Sequence, residues 1–254
     1  MKVVFIGAGN VATHLAVELY RHSFDIIQVY SRTMESASVL AQKIHATPIT
    51  DISSIDNSAD LYIFSLKDSV LEDVISHIPS NNGLWIHTAG SIPVDVFRKY
   101  ALRFGVFYPF QTFSKGREAD WREIPVFIEA NNQDNLDLLR NIAEKISDKV
   151  AGLSSQDRRY VHLTGVFACN FANHMYTLSK QFLNKVNLSF DVSLPLIDET
   201  AAKVHVLGPE EAQTGPAVRY DENVINKHLD LIEDENIRQI YKLISENIYK
   251  TKKR

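Results

Sequence analysis

Cysteine is nearly missing from this sequence: Cys169 is the only one among 254 residues. A lone thiol makes neither an internal disulfide nor a cysteine-rich zinc centre, so no metal site is expected and a reducing, cytoplasmic setting fits. Long hydrophobic runs are missing too. Nothing approaches the ~18 consecutive apolar residues of a membrane span. The run Val3 to Ala8 is too short for a signal-peptide core. There is no basic excess: 27 Lys and Arg stand against 31 Asp and Glu, a net charge of −4. That balance gives no footing for nucleic acid or an anionic membrane. The basic end, Lys250 to Arg254, is short and terminal and reads as solvated. What is present, 45% hydrophobic and 23% charged residues, is the composition of a folded globular chain. The length suits one large domain or two smaller ones.

The first half alternates β-rich runs with helical segments. Strands are expected at Lys2 to Ile6, Ile26 to Tyr30, Leu61 to Leu66, Leu84 to His87, Arg103 to Tyr108, Val126 to Ile128 and Lys149 to Ala151. Val11, Leu15 and Leu19 mark one helix face; Met34 to Ile44, Val70 to Ile78 and Leu136 to Ile146 read as further helices. Strands that are apolar throughout, separated by helices, imply a parallel sheet covered on both faces: an α/β, doubly wound Rossmann-type fold. After about Gly152 the pattern turns helical, with a long stretch over 156–185 and a last amphipathic helix through Ile237 to Ile248. The expected organisation is a Rossmann domain at 1–152 and an all-helical domain at 153–254.

Gly7-Ala8-Gly9-Asn10-Val11-Ala12 matches G-x-G-x-x-A directly after a strand and at the start of a helix. That context is what a dinucleotide site needs. Gly7 allows the tight turn, Gly9 lets backbone approach a diphosphate, and Ala12 lets the helix pack closely. The helix start offers free N–H groups and a partial positive charge to the phosphates. The bland alternative is a strand–turn–helix with no ligand.

The second strand bears on the choice of cofactor. It ends Tyr30-Ser31-Arg32-Thr33, without the acid that usually binds both ribose hydroxyls of NAD. Arg32 can fork onto a 2′-phosphate, with the Ser31 and Thr33 hydroxyls beside it, so NADP is expected. A surface arginine is the alternative. Leu66 and Lys67 follow the Leu61 strand, and His87, Thr88 and Ala89 end and follow the next. Residues beyond the carboxyl ends of such strands line the cofactor groove. Lys67 reads equally as a solvent lysine, and His87 as a structural histidine. The small residues Thr88 to Gly90 suit a close approach by the nicotinamide ring.

These features, with the helical second half, resemble the 6-phosphogluconate dehydrogenase-like superfamily. That group includes pyrroline-5-carboxylate reductases, β-hydroxyacid dehydrogenases and deazaflavin-dependent NADP oxidoreductases. His87 to Ser91, Tyr108-Pro109-Phe110-Gln111-Thr112-Phe113 and Thr214 to Asp221 more narrowly resemble a Rossmann-plus-helical family provisionally labelled NADP oxidoreductases. The resemblance implies an active site between the two domains and a homodimer packed through the helical domains. By the same resemblance, Thr214 and Arg219 could meet an anionic group; a capped turn with Arg219 paired to Asp221 is the alternative.

One departure matters. β-Hydroxyacid dehydrogenases carry a catalytic lysine on the helix after the Rossmann domain, and here no lysine lies between Lys149 and Lys180. The same stretch carries His162, Asn170 and Asn173. At roughly 100° per residue, His162 and Asn173 share a face and Asn170 lies about 80° away. Histidine suits proton transfer near neutral pH, so His162 and then His87 are the candidate donors, with Asn170 and Asn173 orienting the substrate. A hydrogen-bonded polar pair in a helix interface is the alternative. The expected function is NADP-dependent hydride transfer to or from a small carbonyl or imine metabolite. A module that holds NADP without turnover competes with it, and so does exchange between NADP and a deazaflavin.

Overall fold

Alternating apolar strands and amphipathic helices build one eight-stranded sheet in the order β3-β2-β1-β4-β5-β6-β7-β8. The computed structural model describes residues 1–252, so Lys253 and Arg254 of the basic end lie outside the described residues. The strands are β1 (Lys2–Ile6), β2 (Asp25–Tyr30), β3 (Thr47–Ile49), β4 (Leu61–Phe64), β5 (Leu84–His87), β6 (Arg103–Pro109), β7 (Val126–Ala130) and β8 (Val150–Gly152). Crossovers run through α1 (Asn10–Arg21), α2 (Met34–Ile44), α3 (Asp68–Ser76) and α4 (Gln133–Ile146). All four residues of β4 and of β5 are buried, as central strands covered on both faces require. One face packs Val3, Phe5 and Ile63 against α1, α2 and α4; the other packs Val4, Ile6, Tyr62 and Trp85 against α3 and Phe97.

Two departures from the expected sheet have local causes. β3 escapes the pattern because it is three residues long and carries Pro48, which suits an edge strand. β7 runs antiparallel to β6 in an otherwise parallel sheet. Between them lies only a short 3-10 turn at Trp121–Glu123, and the chain folds back rather than crossing over.

The sheet ends at Gly152, where the sequence pattern changes, but the first compact unit runs on through Met1–Asn173. It takes in α5 (Ser155–Gly165) and a π-helical stretch, Val166–Phe171. Arg158 anchors α5. It is buried, pairs with Glu129 of β7 and donates to the Ile92 carbonyl. Ser155 completes the joint, donating to Glu129 at 2.7 Å and accepting from the Val94 N–H at 2.9 Å.

The second unit is His174–Arg254. It holds most of α6 (Ala172–Lys185), then α7 (Leu194–Val204), α8 (Pro209–Ala212), α9 (Pro216–Arg219), α10 (Glu222–Leu231) and α11 (Glu235–Lys252). Ala217, Ile225 and Ile232 are buried, whereas Val206, Leu196 and Leu231 are 83%, 70% and 70% exposed. Asp221 caps α10 through the Val224 N–H, and among the described residues it forms no ion pair with Arg219, the pairing that the alternative reading of this turn offered. No helix among the described residues is long and apolar enough to cross a membrane.

Candidate active site

Gly7 and Gly9 are needed for different reasons. Gly7 sits at φ +119°, and a Cβ there would lie 2.2 Å from the Ser65 carbonyl oxygen. Its N–H donates to the Tyr30 carbonyl at 2.8 Å, fastening the turn to β2. Gly9 is exposed, and a Cβ there would meet nothing within 4 Å. The space over that backbone is open. α1 begins at the next residue with no side-chain cap and no acid in its first turn. Its first N–H groups and positive dipole end remain available to an anion. The Asn10 amide donates to the Phe113 carbonyl at 2.9 Å, holding the loop after β6 against the helix. Val11 is half-buried, and Ala12 is fully buried against the sheet.

At the end of β2, the Ser31 N–H donates to the Ile49 carbonyl at 3.1 Å. Arg32 is exposed and makes no ion pair among the described residues. The Thr33 hydroxyl is engaged locally: it caps α2 through the Ser36 N–H and donates to the Ser36 hydroxyl at 3.0 Å. Leu66 lies half-buried beside Gly7, and Lys67 is exposed at the start of α3. Thr88 is buried, its hydroxyl donating to Ser65 Oγ at 3.1 Å.

His87 lies deeper than its place at a strand end implied. It is fully buried, packs on Phe97 with ring centroids 5.7 Å apart, and accepts the Ala89 N–H on Nδ1 at 3.2 Å. Burial, reinforced by the Arg158 guanidinium, pushes its pKa down to about 3. Sealed in the core and held as the neutral ring, His87 is not placed to act as the acid towards a substrate.

His162 stands elsewhere. It lines a cleft of about 390 Å³ together with Asn10 and Val11 of α1, Tyr108 within β6 and Gln111 just after it, and Asn170. Every residue lining the cleft belongs to Met1–Asn173. His162 Nδ1 lies 3.0 Å from the Tyr108 hydroxyl, with the two rings edge-on. Burial pushes the Tyr108 pKa up to about 12, so the phenol keeps its proton. A Cβ at Gly90 would fall 2.5 Å from His162 Nδ1. The smallness of Gly90 thus makes room for the imidazole, where the sequence had pointed to the nicotinamide ring.

The π-helical turn decides which asparagine faces the cleft. A regular helix would align Asn173 with His162. Val166–Phe171 instead takes wider i→i+5 turns, which shifts every later residue around the axis. Asn170 joins His162 in the lining and Asn173 does not. Tyr108 and Cys169, which line the cleft, and Arg158, which anchors its helix, were all missed. The available signal was the position of Tyr108 near the carboxyl end of β6, where ligands of such sheets sit.

Residues 2–88 match the family described as NADP oxidoreductase coenzyme F420-dependent, and residues 124–248 match a domain of unknown function, DUF2520. A solved protein from Bacteroides fragilis, provisionally described as an NADP oxidoreductase, is 51% identical over 98% of both chains, with a TM-score of 0.93. The chain belongs to that protein's family. Members of this Rossmann-plus-DUF2520 family share the fold with more distant structures. A Thermotoga maritima protein is 19% identical, with a TM-score of 0.77 over 96% of this chain and 99% of that one. A 1-pyrroline-5-carboxylate reductase from Streptococcus pyogenes is 13% identical, with a TM-score of 0.61 over 98% of each chain. At such identities the likeness is one of fold alone. No functionally curated protein matches the chain.

Proposed function

We propose that this protein is an NADP-dependent oxidoreductase acting on a small carbonyl or imine metabolite. One observation carries the reading: Asn10 and Val11, which open the helix at the glycine turn, also form a wall of the cleft that contains His162. A dinucleotide held on that turn leads into the cleft. Gly7, Gly9, Asn10, Val11 and Ala12 hold its diphosphate through backbone N–H groups and the α1 dipole. Arg32 binds the 2′-phosphate, with Ser31 and Thr33 beside it; Leu66, Lys67, Thr88 and Ala89 border the path towards the cleft. The relative from Bacteroides fragilis, described as an NADP oxidoreductase, supports the same cofactor.

When bound, the nicotinamide supplies or accepts the hydride. The chain's own residues manage the rest. His162 holds a proton at the cleft, Asn170 orients the substrate by hydrogen bonding, and the Arg158–Glu129 joint keeps the helix that carries His162 fixed on the sheet. A homodimer is part of this reading. The exposed Val206, Leu196 and Leu231 form apolar surface that a second copy would cover. The lone thiol accords with a cytoplasmic setting.

Crystals grown with NADP+ test the proposal. The expected result is the 2′-phosphate on Arg32 and the nicotinamide beside His162. A dinucleotide whose nicotinamide turns away from that cleft would favour a holder of NADP without turnover.

A further inference from the structure

The cleft contains a polar pair that the sequence reading did not join: the Tyr108 hydroxyl and His162 Nδ1, 3.0 Å apart. Tyr108 is almost fully buried, and among the described residues its hydroxyl has no other hydrogen-bond partner. A buried hydroxyl left without an acceptor is unfavourable by about 1–3 kcal/mol, so the phenol proton is directed at the nitrogen. Three further features hold the ring in place. Gly90 lies against it so closely that no side chain fits between, the Tyr108 ring meets it edge-on, and Arg158 anchors α5 one turn earlier.

We propose that Tyr108 is a positioning residue that holds neutral His162 with its proton on Nε2, so that the cleft is offered an N–H rather than a lone pair. This rests on the reading of His162 as the proton-bearing group of the cleft. It also narrows the substrate class. A carbonyl oxygen or a neutral imine nitrogen accepts a hydrogen bond from that N–H; a protonated iminium has no lone pair to receive it. The neutral ring then polarises the acceptor by hydrogen bonding before any proton moves.

The test is 15N NMR of ring-labelled histidine in the full chain, without substrate, at an alkaline pH where free imidazole is neutral. The His162 signal is assigned by its loss in His162→Gln. The expected wild-type spectrum shows one tautomer, with the proton on Nε2, and Tyr108→Phe converts it to a mixture. A wild-type ring protonated on Nδ1 overturns the proposal even if the variant fails to fold. So does an unchanged tautomer in a folded Tyr108→Phe protein. NADPH titration of the same wild-type sample separates the two readings. Failure to bind NADPH sinks the oxidoreductase assignment, whereas the tautomer decides the role of Tyr108 at the ring.

Discussion

The two ends of the proposed site are built from different materials. The phosphate end is backbone: a turn forced by Gly7, an open approach over Gly9 and the uncapped start of α1. The cleft end is side chain: His162, Tyr108 and Asn170, brought together by β6, α5 and a π-helical turn. The contrast teaches where a site can be read from sequence. A backbone site leaves local marks, because only glycine tolerates its geometry. A side-chain site depends on distant packing that leaves no local mark.

The sharpest way to break this contrast is to loosen the joint under the cleft end. Arg158→Met leaves Glu129 without its buried partner and should destabilise the protein by about 3–5 kcal/mol. Thermal denaturation would show it, and a change below about 1 kcal/mol would mean α5 is held by something else. The two glycines come next and separate structure from binding at the other end. Gly7→Ala meets the Ser65 carbonyl at positive φ, and should lose roughly 3 kcal/mol of stability. Gly9→Ala meets no protein atom, so stability should move by less than about 1 kcal/mol. Its NADPH affinity should nevertheless fall, because the added methyl occupies the open approach. Equal destabilisation by both substitutions would remove the distinction.

His87 supplies a smaller effect, tied to pH. In the unfolded chain it takes its proton near pH 6.5, whereas burial keeps it neutral in the fold down to about pH 3. Between those values the unfolded state binds more protons. Its contribution to stability is therefore complete above about pH 6.5 and is lost steadily as the pH falls towards 3. A pH series of denaturant melts should show a shallower acid arm in His87→Leu than in the wild type. Parallel arms would mean that His87 is protonated inside the fold.

Much of the fold was legible. The covered strands β1, β4 and β5 announced themselves as unbroken apolar runs, and the glycine turn and Arg32 stood where a doubly wound sheet places them. The antiparallel β7 was not legible, because strand direction is set by the connection and not by the strand's own residues. The choice between the two readings of His87 was not legible, because a strand end says nothing about how deeply Phe97 covers it. That Asn170 rather than Asn173 lines the cleft with His162 was not legible, because ideal helical geometry has no π turn and nothing in Val166–Phe171 advertises one. Tyr108 meets His162 across 54 residues of chain, a separation no local pattern bridges.

The central claim is that the free guanidinium after β2 recognises a 2′-phosphate beside the glycine turn. Isothermal titration of the wild type and Arg32→Ala with NADPH and NADH tests it most directly. The account predicts that the wild type binds NADPH roughly 10–100-fold more tightly than NADH, as one lost charge-assisted bond implies, and that Arg32→Ala erases the difference. Equal affinities in the wild type, or a preference for NADH, would contradict it.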